Sequence, residues 1–540
     1  MSNIERDDDE YTGSMEYLLE KSYELFETTL FRGDRKVALV LTTAVFIGST
    51  YLLTHRYPAY GAGLFLKISE TIVSGNYAFP ARVAGYTRNG VPFAYPPLAF
   101  YVNAVLLDLG VSPLRIARVL PAMVTSIAFV PYFYLAREFL PSSGKAGVAA
   151  IIAAVTPMLL QWHLSAGGIV RAPAFFLLLS GLYVGVRLFR YRTRLSLTVA
   201  PVLFGLLLLT HPTYSTFFAA SYVLFFLREQ RSLDGLGRGL VVAGGGLLIA
   251  SPWILRVVST HGLDVFTSAA GTHGGLGAGV TVFLDRLGDP FVATPATVVW
   301  YVLLLLGIYA FVRRERYFLP LWFVASVFLM DEIRFAFIPG VMILTIGLTD
   351  VLPAIYARLS GSGSKRTAAS QIAITAVVLC LLVSLGGLFV AGQSVTNHDA
   401  MPAFIDHEDT TAMSWVQAET PSDAEFVVVG DAAEWFPYVT DRTILVGPWG
   451  VEWRTPTAYQ RQMDAYRGIS DCDTARCLTH TIRSHGYRPS YLYIPKGEYT
   501  VRGISTVQSD RMRRSLERSN RYQISYENPG VLVVRVRAPE

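Results

Sequence analysis

Charge is scarce in this sequence. Of its 540 residues, 16% are charged and 52% are hydrophobic, whereas soluble domains carry about 25% charged residues. That deficit excludes an ordinary water-soluble globule, and the mean hydropathy of +0.38 agrees. The charge that is present nearly cancels, leaving a formal net charge of +5. So small an excess in so long a chain gives no footprint for nucleic acid. Cysteine is almost missing, with only Cys380, Cys472 and Cys477. Also missing are a phosphate-cradling Walker pattern, a GxSxG elbow, paired zinc ligands and any Asn-x-Ser/Thr acceptor site. The N-terminus does not read as a signal peptide, because residues 6–10 are acidic where such peptides are basic.

Long apolar runs are plentiful. A membrane helix needs about 20 mostly apolar residues. Such segments are expected near 37–54, 115–136, 146–162, 169–186, 196–210, 213–227, 239–255, 296–312, 317–330, 335–353 and 370–391. The connections between them test the reading, since cytoplasmic loops hold the Lys/Arg excess. Starting with Arg32, Arg35 and Lys36, every second connection is basic: Arg137 and Lys145, then Arg187 to Arg194, Arg228 to Arg238, Arg313 to Arg316, and Arg358 to Arg366. The alternation keeps its phase throughout. It predicts a cell-membrane protein with a cytoplasmic N-terminus and everything after residue 394 outside.

The fold class expected is therefore a polytopic α-helical membrane protein of about 11 transmembrane helices, followed by a C-terminal soluble α/β domain. Residues 1–36 form a cytoplasmic segment with an amphipathic pattern (Met15, Leu18, Leu19, Tyr23, Phe26 and Leu30). Residues 37–393 form the membrane domain, with long outer loops at 55–114 and 256–295. Residues 394–540 form the external domain, whose strand patterns lie near 425–430, 491–494 and 530–536. Long loops in compact structures are usually functional, and the elaborate ones here all fall on the outer face. Cys472 and Cys477, the only pair in the tail, read as a disulfide that an exported compartment permits, with two free thiols as the alternative. Cys380 reads as a packing residue in the last span.

Three features together resemble the GT-C superfamily of membrane glycosyltransferases, which use polyprenyl- or dolichyl-phosphate-linked sugars and include mannosyltransferases. One is Ala94-Tyr95-Pro96-Pro97-Leu98-Ala99-Phe100-Tyr101 at the end of the first outer loop. Another is a set of aromatic-rich tail segments, 415–424, Ala433-Glu434-Trp435-Phe436-Pro437 and Pro448-Trp449-Gly450-Val451-Glu452-Trp453. The third is the plan itself: a long first outer loop, many spans and an external C-terminal domain.

The resemblance implies transfer of a sugar from a lipid phosphate to a glycan, lipid or protein acceptor at the membrane surface. Such chemistry needs cations for the phosphate and a carboxylate to take the acceptor proton. The family usually places that carboxylate as an Asp early in the first outer loop. Here residues 57–70 contain no acid before Glu70, which reads either as the base or as the ion-pair partner of Lys67 three residues earlier.

The phosphate-binding candidates are Arg334 with Glu332 orienting it, Arg171 at the start of a span, and Arg256. Tyr95, His211 and His261 are the expected cavity-lining residues, with a structural histidine as the other reading of His211. A divalent metal is not supported, because the spacing from His261 to His273 matches no compact ligand motif. The absent early Asp also admits a catalytically inert relative that binds lipid-linked glycan or assists a partner enzyme. A transporter or flippase is the third reading.

Overall fold

The computed structural model describes residues 35–272, 297–330, 332–359, 368–392 and 400–537. The amphipathic segment expected near the N-terminus and most of loop 256–295, His273 included, lie outside the described residues. Among those described, six helices are long and apolar enough to cross a membrane: Arg35–Thr54, Pro113–Phe139, Gly168–Arg190, Leu233–His261, Ile333–Leu359 and Gln371–Val390. A bent pair, Ser143–Ala153 and Pro157–Leu164, makes a seventh if it counts as one span. The remaining segments read as spans are also helical, as Arg194–Leu208, Pro212–Glu229, Val298–Arg313 and Phe318–Leu329. The protein is a multi-pass membrane protein.

The 53° bend in the broken pair has a local cause. Proline at 157 has no N–H to give the helix and pushes Thr156 into an extended conformation, at φ −79° and ψ 115°. Elsewhere small residues bring helices together. Gly181 and Gly185 lie directly against the rings of Phe218 and Tyr222, and the Tyr222 hydroxyl donates to the Gly181 carbonyl at 2.8 Å. At the arginine-bearing ends of the bundle, Arg190 bridges Glu138 and Glu229, while Lys145 and Arg314 share Asp350. Cys380 is exposed on its helix rather than packed inside, a departure from the sequence reading.

The long first loop, 55–114, is a folded unit. It holds the helices Gly63–Ser74 and Leu98–Asp108 and a short antiparallel ribbon of β1 (Arg82–Val83) with β2 (Val91–Pro92).

In the tail, β3 (Glu425–Val428) lies between β4 (Thr443–Ile444) and β5 (Tyr491–Pro495), parallel to both. A hairpin, β6 (Gly497–Val501) with β7 (Ile504–Gln508), follows. β8 (Tyr522–Glu527) and β9 (Val531–Val536) complete a five-stranded sheet in the order β4-β3-β5-β9-β8. The apolar run of each central strand divides by the pleat. Phe426, Val428, Tyr493 and Val533 face the long first loop. Val427, Leu492, Ile494 and Val534 face the helices Pro456–Ser470, Ala475–Ser484 and Asp510–Glu517. Burial on both sides explains why these strands read as continuous hydrophobic runs.

Loop and tail are joined through their backbones. Ile444 N–H donates to the Gly85 carbonyl and Thr87 N–H to the Ile444 carbonyl, both at 2.9 Å, so the loop extends the sheet beyond β4. Arg88 adds a two-pronged pair to Glu425, with both contacts at 2.6 Å. The tail thereby sits over the span ends that carry this loop, with Tyr60 N–H donating to the Pro402 carbonyl at 2.7 Å. Cys472 and Cys477 form a disulfide, as the sequence suggested.

Candidate functional site

Two arginines at helix starts anchor the site. Arg334 lies in the first turn of Ile333–Ile346 and is 5% exposed. Its guanidinium pairs with Glu332 and stacks over Tyr214 and Phe335, 5.4 and 5.3 Å from the ring centroids. Arg171 lies in the first turn of Gly168–Arg190. It stacks over Trp162 at 5.3 Å and rests where a β-carbon on Gly167 would stand. Glycine at 167 is what lets the guanidinium fold back onto its own helix start. Among the described residues, Nε of neither arginine has a hydrogen-bond partner. A guanidinium stays charged when buried and keeps unused donors for an anion.

The two cations lie within electrostatic reach of each other and of Tyr95 and Tyr214. Tyr214 organises the floor beneath them. With His163 Nδ1 bonded to the Leu159 carbonyl, Nε2 accepts from the Tyr214 hydroxyl at 2.6 Å. His211 meets Tyr214 edge-on at 4.8 Å and Tyr95 at 5.7 Å. Tyr95, Arg171, His211 and Arg334 therefore come together.

The tail completes the site with acids. Glu434 ends the turn Asp431–Glu434 and is 8% exposed. Its carboxylate fills the space that a β-carbon on Gly61 would need, and its backbone does the same at Gly63. Burial, and next the Asp431 charge, push its carboxyl up to about 8, against a lowering pull from Arg502 and Arg171. Asp431 itself is fully engaged, accepting from the Tyr466 hydroxyl at 2.7 Å and from the N–H groups of Arg502 and Gly503 at 2.9 and 2.8 Å. Glu452 is buried in the turn Val451–Trp453 and acts electrostatically on both Tyr95 and Glu434. Trp453 beside it meets Tyr95 at 5.5 Å.

Other candidates sit elsewhere. Glu70 is 44% exposed at the side chain and is held by Lys67 at 2.7 Å. Lys67 also bonds Asp441. Glu70 acts on Tyr86 and Tyr438 and does not join the arginine cluster. Arg256 is exposed on Leu233–His261 and is not among the groups acting on Arg334. His261 lies against the backbone of Ala81 and Phe93, beside the β1–β2 ribbon, and its Nε2 has no hydrogen-bond partner among the described residues. Among the described residues no three His, Cys, Asp or Glu side chains group as metal ligands.

Sequence reasoning missed Glu434, Glu452, His163 and Trp162. A signal for the two acids existed: Glu-Trp occurs in both apolar tail segments, at 434–435 and 452–453, and an acid among aromatics is rarely left in the open.

No protein-family model matches the chain, and neither does any curated protein. Solved structures do. The oligosaccharyltransferase AglB from Archaeoglobus fulgidus, in complex with an inhibitory peptide and a dolichol-phosphate, aligns with 86% of this chain and 70% of its own at 12% identity and TM-score 0.51. ArnT from Cupriavidus metallidurans, bound to undecaprenyl phosphate, aligns with 92% and 97% at 14% identity and TM-score 0.54. The mycobacterial arabinofuranosyltransferase AftD aligns with 94% of this chain but 40% of its own, at 12% identity and TM-score 0.56. At such identities the likeness is one of fold. The chain shares the fold of AglB, ArnT and AftD.

Proposed function

We propose that this protein transfers a sugar from a polyprenyl-phosphate-linked donor to an acceptor on the external face of the cell membrane. The observation that carries the reading is the pairing of two stacked arginines that retain free Nε donors with buried carboxylates from the overlying domain. Its fold neighbours, AglB and ArnT, hold dolichol-phosphate and undecaprenyl phosphate. A lipid phosphate suits a site of this kind, because planar guanidiniums grip phosphate oxygens two at a time.

In this reading Arg334 and Arg171 hold the donor phosphate and stabilise it as it leaves. The acceptor oxygen or nitrogen attacks the anomeric carbon, the bond from that carbon to the phosphate oxygen breaks, and the acceptor's proton passes to a carboxylate. Glu434 is the better base: it is buried, its carboxyl is pushed up to about 8 so that it holds a proton firmly once taken, and it feels Arg171. Glu70 would first have to leave Lys67. His211, Tyr95 and Trp453 wall the cavity. The basic connections lie in the cytosol and the tail outside.

The test is transfer from a synthetic polyprenyl-phosphate sugar by the purified full chain. Arg334→Gln and Arg171→Gln each weaken donor binding by about tenfold or more, Glu434→Gln abolishes turnover with donor binding kept, and Glu70→Gln leaves turnover near wild type. Loss of turnover in Glu70→Gln alone would return the base to the first outer loop. Donor binding without transfer to glycan, lipid or peptide acceptors would favour the inert relative, the reading that the missing early Asp supports.

A further inference from the structure

A second cationic cavity lies at the opposite end of the bundle. It has a volume of about 360 Å³ and is lined by Arg228, Arg316, Phe139, Phe318, Phe311 and Leu319 among others. Its distance from the first site follows from the helices that connect them. Pro212–Glu229 starts beside His211 and carries Arg228 in its last turn, and 18 residues of helix span about 27 Å. Phe318–Leu329 starts at the cavity and runs toward Arg334.

Arg228 is arranged as the receptor group. Its guanidinium stacks 4.2 Å from the Phe318 centroid and 5.2 Å from that of Phe139, which fixes its plane at the cavity wall. Its carboxylate partner is shared. Glu229 Oε1 takes Arg228 Nε at 2.9 Å and Arg190 Nη2 at 2.7 Å, while Glu138 takes Arg190 at 3.0 Å and Arg187 at 3.8 Å. Three guanidiniums thus divide two carboxylates, and Arg316 adds a further cation at the cavity rim. The remaining walls are aromatic and aliphatic, and Tyr317 stands exposed beside them, as an interfacial anchor does.

We propose that this cavity binds the phosphodiester headgroup of an anionic glycerophospholipid from the leaflet at the arginine-rich end. Position, charge and wall chemistry agree. A headgroup at the ends of membrane helices meets surplus arginine charge, planar donors match phosphate oxygens, and the first acyl carbons lie along Phe311 and Leu319. The site does not depend on the sugar-transfer reading and is distinct from the Arg171–Arg334 cluster.

The test uses the full chain in detergent, titrated with dioctanoyl phosphatidylglycerol, dioctanoyl phosphatidylcholine or free glycerol phosphate, with bound lipid counted by native mass spectrometry. Wild type is expected to hold the anionic lipid about tenfold more tightly than the zwitterionic one, with glycerol phosphate failing to compete. Arg228→Gln with Arg316→Gln removes that preference, Arg228→Lys keeps part of it, and Arg194→Gln, outside the cavity, keeps all of it. Equal binding of the two lipids by wild type overturns the proposal. So does an undiminished preference in the double variant, or a loss in Arg194→Gln as large as in that variant. Competition by glycerol phosphate at lipid concentrations overturns it in favour of a soluble anion. Arg228→Lys, with stacking weakened but charge kept, separates a lost site from a lost fold.

Discussion

The carboxylate of Glu434 occupies the space that a β-carbon on Gly61 would take, so the tail domain and the start of the first long loop interlock at one side chain. Substituting Gly61→Ala must push that carboxylate aside. Overpacking of this kind costs about 1–3 kcal/mol, and here it also moves the acid away from Arg171. We expect a lower Tm and reduced transfer. Gly244→Ala, in a membrane helix with nothing near its β-position, leaves both unchanged or slightly raises Tm. If Gly61→Ala and Gly244→Ala behave alike, the interlock has no energetic content.

Glu434 also gives stability a pH dependence whose sign is fixed. Burial and the Asp431 charge raise its carboxyl to about 8 in the folded protein, whereas an unfolded Glu titrates at about 4.3. Between these values the native state holds a proton that the unfolded chain has released. Its contribution is therefore complete at low pH and is lost as pH rises through the folded value. Glu434→Gln cannot ionise, so its Tm should vary less with pH between these values and exceed that of wild type at the alkaline end. Turnover in wild type should rise over the same range as the base becomes free. Parallel Tm profiles in the two proteins would show that Glu434 is already ionised when folded.

How much of this was legible depended on how local the cause was. Helical spans follow from the length of an apolar run, and the segments from 37–54 to 370–391 fall on helices, with 146–162 broken between Ala153 and Pro157. Arg171, His211 and Arg334 were legible because each interrupts or borders such a run, and Tyr95 because it opens the Tyr-Pro-Pro-Leu string at 95–98. Glu70 was ambiguous, since the same three-residue spacing that places Lys67 beside it also fits a free carboxylate on a cavity wall. Glu434 was hidden because its burial depends on Gly61, far away in sequence. The pairing of Tyr86 with Ile444 was hidden for the same reason. No periodicity encodes the register between a loop and a sheet edge.

Arginines in this chain divide into those that are spent and those that keep donors. Arg442 gives its guanidinium to the carbonyls of Thr440, Gln417 and Thr420 and to the Thr420 hydroxyl. Arg334 and Arg171 keep Nε unused. Removing a buried guanidinium from a satisfied network costs about 1.5–3 kcal/mol for its charged hydrogen bonds, so Arg442→Ala should lower Tm with donor affinity intact. Arg334→Gln and Arg171→Gln should instead weaken binding of a polyprenyl phosphate by about tenfold or more, with Tm little changed. Donor affinity can be read by isothermal titration in detergent. Equal loss of affinity in Arg442→Ala would dissolve the distinction.

The disulfide offers a joint test of stability and sidedness. Cys472 and Cys477 are five residues apart. The bridge fastens the end of Pro456–Ser470 to the start of Ala475–Ser484, where Leu478 and Ile482 pack on the sheet. Closing so short a loop contributes about 2 kcal/mol by chain entropy, so replacing both cysteines by serine should lower Tm by several degrees. Transfer at low temperature should persist, since neither sulfur adjoins the arginine cluster. In intact cells, brief reduction followed by a membrane-impermeant maleimide should label this pair if the proposed topology, with the arginine-rich connections in the cytosol, holds. Labelling that appears only after lysis would place the tail inside and remove the external site with it.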